Sequence, residues 1–170
     1  EDVGLAVVFD HRIADELQVQ GVYENTLIVI IGDNGYFQAD RGLADKWYPY
    51  EESVRVPLVV RDPRLPPARR GSTLSQLALN LDVAPTLVAA AGLPVPAVMQ
   101  GQDLGPLYLA ATPPAWRDEF FYEHPTITSK DRIPSSQGVM RKDWKYIEWP
   151  EFDYQQLFDL REDPGEIRNL

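Results

Sequence analysis

Residues 27–31 read Leu-Ile-Val-Ile-Ile, an apolar run without polar alternation in which every residue after the leucine is β-branched. A strand with one wet face alternates polar and apolar side chains. An unbroken run of this kind therefore asks for cover on both faces, as in the centre of a parallel sheet. Upstream, Leu5, Phe9, Ile13 and Leu17 recur every four residues with Arg12, Asp15 and Glu16 between them. That spacing predicts an amphipathic helix from about Leu5 to Gln20, stopped by Gly21. A helix feeding a buried strand is half of a βαβ unit, so the expected class is α/β with a mainly parallel mixed sheet flanked by helices.

Downstream of that strand the pattern changes twice. Val56–Val60 is a second short strand candidate, and Pro57 marks it as an edge or a strand beginning. Leu81–Ala91 is helical in composition, with Asp82 placed to cap it, Pro85 in its first turn and Gly92 at its end. Pro94–Pro114 is mostly loop, and a boundary is expected there: residues 1–113 carry the α/β part and 114–170 a small antiparallel subdomain. In the latter, Glu119–Glu123, Gly138–Arg141 and Trp144–Trp149 are short, aromatic-rich runs separated by turn residues, the mark of an antiparallel meander, and Gln155–Leu160 with the acidic Arg161–Glu166 turn finishes the chain. Trp144 and Tyr146 alternate within it and are expected on its core face.

Composition narrows the function classes. A chain of 170 residues, 44% hydrophobic, can bury a core. Its net charge of −10 argues against nucleic acid as a partner, so any anionic ligand must be attracted locally. The absence of cysteine removes disulfides, thiolate metal sites and a cysteine nucleophile. No apolar run approaches the length of a membrane span. Glu1 is preceded by neither an initiator methionine nor a signal peptide, which is read as upstream processing or a fragment.

The chemistry concentrates just after the buried run, at Asp33-Asn34-Gly35. Ligands of open α/β sheets sit beyond the carboxyl ends of the strands. A carboxylate and an amide carbonyl are hard oxygen donors suited to Ca²⁺ or Mg²⁺ rather than zinc. The same three residues are also ordinary hairpin-turn chemistry. A lysine among aromatics, Lys46 beside Trp47, Tyr48 and Tyr50, tips the balance, because an ammonium is a compact partner for an oxyanion.

Taken together, GDNGYFQADRGLADKWYPYEESVRVPLVVRDPR resembles the Asp-Asn/His-Gly to Lys-Trp to Glu-Glu-Ser-x-Arg-Val-Pro segment of type I, formylglycine-dependent sulfatases of the alkaline phosphatase superfamily. LDVAPTLVAAAGLPVP, GQDLGPL, FFYEH, GVMRKDWKYIEW and LFDLREDPGEIRNL follow in the order of that family's C-terminal half. The resemblance implies a sulfuric-ester hydrolase. It assigns Asp33 and Asn34 as two ligands of one active-site Ca²⁺ (Mg²⁺ the lesser candidate) and Lys46 as a catalytic contact to the sulfate group. His124, closing FFYEH, resembles a substrate-facing position and is equally readable as a hydrogen-bonded histidine at a strand end. The implied partner is a sulfated small molecule or glycan, and the implied location is periplasmic or secreted.

The family's nucleophile is a formylglycine made from a Cys or Ser in a Cys/Ser-x-Pro-x-Arg motif, and no such motif occurs in this sequence. It is expected upstream, with the missing N-terminal half of the domain, so this chain is expected to be inactive alone. The alternatives are a phosphodiesterase or phosphonate monoester hydrolase of the same superfamily, or a non-catalytic cation-binding remnant. Two departures from the family pattern stand out. Asp40-Arg41-Gly42 replaces a common Glu-His-Gly, and Ser135-Ser136-Gln137 replaces Arg-Ser-Glu. Among the remaining charges, Glu51, Glu52 and Arg55 read as a helix-start ion cluster, and Asp159, Asp163 and Glu166 as a solvated acidic turn rather than a second oxygen-rich site.

Overall fold

The apolar run forms strand β1, Ile28–Ile31, in a computed structural model that describes residues 11–125 and 129–170. Its ladder among the described residues is with β4, Leu58–Arg61, and it is antiparallel, pairing Ile28 with Arg61 and Ile31 with Leu58. The parallel neighbour expected for β1 is therefore not β4. An unbroken branched run reports how a strand's faces are covered, not the direction of its hydrogen-bonded neighbour. All four residues of β1 are half-buried here rather than buried.

Helix α1, His11–Val19, is the described part of the predicted amphipathic helix; positions before it lie outside the described residues. It ends as the sequence predicts. Gly21 takes φ 71°, its N–H donates to the Gln18 carbonyl, and the Val22 N–H reaches back to Leu17. That pair of bonds satisfies two of the carbonyls a helix end leaves open. Helix α3, Val83–Ala90, follows the predicted placement, and Gly92 ends it at φ 75°. Asp82 precedes α3 but does not cap it. Its backbone is already helical, and its fully buried carboxylate accepts the Gln102 N–H at 2.8 Å. Helix α4, Gly105–Leu109, completes this part, with Tyr108 donating to the buried Asp62 carboxylate at 3.0 Å. No helix among the described residues is long and apolar enough to cross a membrane.

The chain separates into two compact units. One takes the sequence up to Gly32, Pro57–Leu74 and Asn80–Pro113; the other takes Asp33–Val56, Ser75–Leu79 and Pro114–Leu170. The division expected between 113 and 114 is thus one of several crossings, because the Asp33–Val56 segment clusters with the C-terminal residues.

That second unit is built on the predicted three-run meander, which the Gln155–Leu160 stretch extends by a fourth strand. Strands β5 (Glu119–His124), β6 (Ser136–Arg141), β7 (Trp144–Trp149) and β8 (Tyr154–Asp159) form a four-stranded antiparallel sheet in sequence order. Register places Phe120, Met140, Lys145 and Phe158 in one cross-strand row and Tyr122, Gly138, Ile147 and Gln156 in another. Met140, Lys145, Ile147, Trp149 and Phe158 are buried, so this is the inner face. The expectation that Trp144 and Tyr146 face the core is overturned: both are half-buried on the opposite face, and Lys145 and Ile147 point inward. Across the inner face lies the Asp33–Val56 segment, which carries a short hairpin, β2 (Phe37–Gln38) with β3 (Ala44–Asp45), and a single helical turn α2 (Glu51–Val54). Tyr48 and Tyr50 pack there against the Ile147, Trp149 and Phe158 cluster.

Gly138 shows how tightly β6 and β7 are apposed, since a Cβ at this position would lie 2.1 Å from the Tyr146 carbonyl oxygen. Replacing it, Gly138→Ala, is expected to cost about 1–3 kcal/mol through overpacking. Thermal unfolding should register this as a fall of roughly 2–4 °C per kcal/mol. An unchanged Tm would mean that the β6–β7 pairing is looser than described.

Candidate functional site

Asp33 and Asn34 follow β1 through Gly32, and their geometry is set by what presses on Gly35. A Cβ at Gly35 would sit 2.0 Å from the Glu52 carbonyl oxygen, so only glycine fits beneath α2. The Gly35 N–H donates to the Ser53 carbonyl at 2.7 Å, fixing the turn to that helical turn. Within the turn, the Asp33 carboxylate accepts the Asn34 N–H at 2.9 Å. The Asn34 side-chain amide donates to the Gly35 carbonyl at 2.6 Å, which orients its oxygen away from the turn. That oxygen accepts from Lys46 Nζ at 3.0 Å.

Lys46 is held from behind as well. The buried Ser53 hydroxyl donates to the Lys46 carbonyl at 2.5 Å. One side chain and one carbonyl of Ser53 therefore hold both strands of the site. Next to Lys46, the Trp47 ring meets His124 edge-to-face, centroids 5.7 Å apart at 62°. His124 closes β5, and its Nδ1 is buried without a hydrogen-bond partner among the described residues. Farther along, Tyr48 donates to the Arg132 carbonyl at 2.8 Å, and Tyr50 donates to Gln156 at 3.0 Å. The structure thus brings Asn34 and Lys46 into direct contact, with Asp33 adjacent in the chain. It attaches His124 to the group through Trp47.

The donor set fits a hard divalent cation in part. A carboxylate and an amide oxygen suit Ca²⁺, which takes six to eight oxygens. No cluster of three or more His, Cys, Asp or Glu able to hold a metal occurs among the described residues, so Asp33 and Asn34 can furnish only part of such a shell.

Beneath these residues lies a charge network that the sequence did not announce. Lys145, with a side chain 1% exposed, places its ammonium 2.7 Å from a Glu51 carboxylate oxygen and 2.6 Å from one of Glu166. The other Glu166 oxygen accepts the Glu51 N–H at 2.8 Å. Arg41 donates to the Glu166 carbonyl at 2.8 Å and to the Gly165 carbonyl, approaches the carboxylates of Glu166 and Glu52 at 3.3 Å, and stacks 4.4 Å over the Tyr50 ring. Glu51 and Glu52 accordingly pair with Lys145 and Arg41, not with Arg55. Glu166 is buried rather than part of a solvated turn, because Lys145 draws it in. Asp159 and Asp163 are half-buried, held on Arg161 and the Arg168 N–H. Burial pushes the Glu166 carboxyl above the usual carboxylate range, and the Lys145 ammonium pulls against that rise. One signal in the sequence pointed here: a lysine in phase with Ile147 and Trp149 on an alternating strand.

The variant Lys145→Met leaves Glu166 buried without its ammonium, a loss expected to be about 3–5 kcal/mol. In that variant the folded-state carboxyl lies above its unfolded value, so its stabilisation is present at low pH and disappears as pH rises through the folded pKa. Denaturant unfolding should therefore find K145M less destabilised at pH 5 than at pH 7. Equal losses at both values would mean that Glu166 finds another partner.

With the geometry in place, comparison with known proteins is informative. Residues 39–170 match the family described as N-sulphoglucosamine sulphohydrolase, C-terminal. An N-acetylglucosamine-6-O-sulfatase of Bacteroides thetaiotaomicron is 33% identical over 162 residues, covering 94% of this chain and 29% of that protein. A solved structure of a protein in complex with its substrate D-glucosamine-2-N,6-O-disulfate superimposes at TM-score 0.85 with 33% identity, over 94% of this chain and 32% of the other. A phosphonate monoester hydrolase of Agrobacterium radiobacter superimposes at TM-score 0.79 with 26% identity, over 94% of this chain and 33% of that one. The chain spans about a third of the length of these relatives.

Proposed function

The chain belongs to the sulfatase family of the alkaline phosphatase superfamily, matching its C-terminal part, and from that premise we propose that it supplies the cation-side and sulfate-side residues of a sulfuric-ester hydrolase. The observation that carries the reading is the Lys46–Asn34 contact at 3.0 Å, with the Asp33 carboxylate beside it. Asp33 and Asn34 hold part of a Ca²⁺ shell. Lys46 presents its ammonium to the sulfuryl group and offsets charge moving onto the leaving oxygen. His124, braced on Trp47, touches the substrate beyond that group.

When bound, Ca²⁺ supplies Lewis acidity toward the oxygens of the ester. The attacking oxygen belongs, by the family resemblance, to a formylglycine. Residues 1–170 contain no Cys/Ser-x-Pro-x-Arg motif, so on this reading they do not turn over a sulfate ester by themselves. The substrate class is a sulfated small molecule or glycan, and the glucosamine sulfate bound in the relative makes glucosamine sulfates the first to try. A secreted or periplasmic setting suits such substrates.

A phosphonate monoester hydrolase is the second reading, favoured by the close superposition on one. The two separate cleanly in the natural polypeptide carrying these residues, assayed with 4-nitrophenyl sulfate and with the 4-nitrophenyl ester of phenylphosphonate. Preference for the sulfate supports the first reading, and preference for the phosphonate supports the second. In either case Lys46→Ala should lower kcat/KM by about 10²–10³-fold, the usual loss on removing a group aimed at developing charge. Asn34→Ala should weaken Ca²⁺ binding measured by calorimetry. Undiminished activity in K46A would overturn the assignment. Sulfate release by residues 1–170 alone would overturn their dependence on an outside nucleophile.

A further inference from the structure

The charge network and the candidate site meet in α2, and the order of contacts is specific. Glu166 accepts the Glu51 N–H at 2.8 Å, where α2 begins, and shares Lys145 with the Glu51 carboxylate. Arg41 holds the same end through Glu52 at 3.3 Å and Glu166. Two residues on, the Ser53 hydroxyl donates to the Lys46 carbonyl and the Ser53 carbonyl accepts from Gly35, the neighbour of Asn34. The α2 carbonyl of Glu52 is the atom that forbids a side chain at Gly35.

A single helical turn of four residues has no stability of its own. It is held where it is by its ends. At its start those holds are buried charges. Near its end they are two hydrogen bonds to the backbone that displays Lys46 and Asn34.

We propose that Glu166, with Lys145, is a positioning residue for Lys46 and Asn34, acting through Glu51, α2 and Ser53. It touches neither of them. Its carboxylate fixes the start of α2, and α2 transmits that position through the two Ser53 contacts. The backbone of Glu166 itself, at φ 49°, is held by Arg41 through the carbonyls of Gly165 and Glu166, so the carboxylate enters from a fixed direction. The inference rests on the reading of Lys46 and Asn34 as site residues, and its test is chosen so that the two can fail separately.

The test compares wild type, Glu166→Gln, Ser53→Ala and Ser53→Thr in the natural polypeptide, well below the Tm of each. Amide hydrogen exchange is followed at Gly35, with Ile147 in β7 as the internal reference. Positioning predicts that E166Q and S53A speed exchange at Gly35 by about 10-fold or more while Ile147 changes much less, a local opening rather than a global one. Both variants should lower kcat/KM for 4-nitrophenyl sulfate by about 10–100-fold, the size expected for misplacing a catalytic group. S53T, which keeps the hydroxyl, should recover most of that loss.

A merely structural Glu166 predicts equal loss of protection at Gly35 and Ile147 in E166Q, which would overturn the inference. Wild-type exchange at Gly35 in both E166Q and S53A would overturn it as well. Should E166Q fail to fold, S53A against S53T decides the last link, and no difference between them sinks it. If K46A retains activity, the sulfatase assignment fails, yet the exchange data still decide whether Glu166 positions the turn.

Discussion

The second unit depends on one buried cation. An ammonium moved out of water loses solvation worth several kcal/mol even after the protein relaxes, and only opposing charge at hydrogen-bond distance makes its burial tolerable. Lys145 meets that condition twice, through Glu51 and Glu166. Two carboxylates on one ammonium would leave a negative excess, and Arg41 supplies the second cation against Glu166. The cluster is closed by backbone groups as well: the Glu51 N–H and the carbonyls of Gly165 and Glu166 all have partners in it. Paired in this way, a buried charge network ties together segments that are far apart in sequence.

Much of the fold was legible because period-two alternation survives in short strands. β5 to β7 fall close to where turn residues and aromatic runs place them, and α1 and α3 end at glycines that take the left-handed conformation the pattern requires. What alternation does not say is which of two faces is inner. In Trp-Lys-Tyr-Ile-Glu-Trp the bulky aromatics at 144 and 146 compete with Ile147 and Trp149, and hydrophobicity alone favours the wrong parity, because the observed one admits a lysine to the core. The partners that make the lysine admissible sit at 51 and 166, outside any local window. The direction of the β1–β4 pairing was hidden for a related reason: side-chain cover is written in sequence, whereas strand direction depends on how a distant segment returns.

The site divides along the same line. Asp33, Asn34 and Lys46 stand out because a strand end, a tight turn and a lysine among aromatics recur in one short segment and resemble a family pattern. Ser53 did not stand out. A serine in a four-residue helical turn is unremarkable until its hydroxyl and carbonyl are seen to bond Lys46 and Gly35. Arg41 is instructive as well. Standing where the family pattern has a histidine, it is a cation that anchors the Glu166 turn from a backbone conformation at φ 56°.

Two lysines in the same unit sit in opposite environments for a physical reason. Lys145 is inside and neutralised by two carboxylates, so its charge is spent on architecture. Lys46 is bonded to an amide oxygen, and no carboxylate among the described residues lies within ion-pair distance of it. An amide orients an ammonium without cancelling it. In a chain of net charge −10, where the long-range field repels anions, a locally uncancelled cation is what an anionic substrate can use. On the proposed reading, the neutral Asn34 and the charged Glu166 are complementary choices: the first leaves the Lys46 charge uncancelled, and the second, acting through α2, holds it in place.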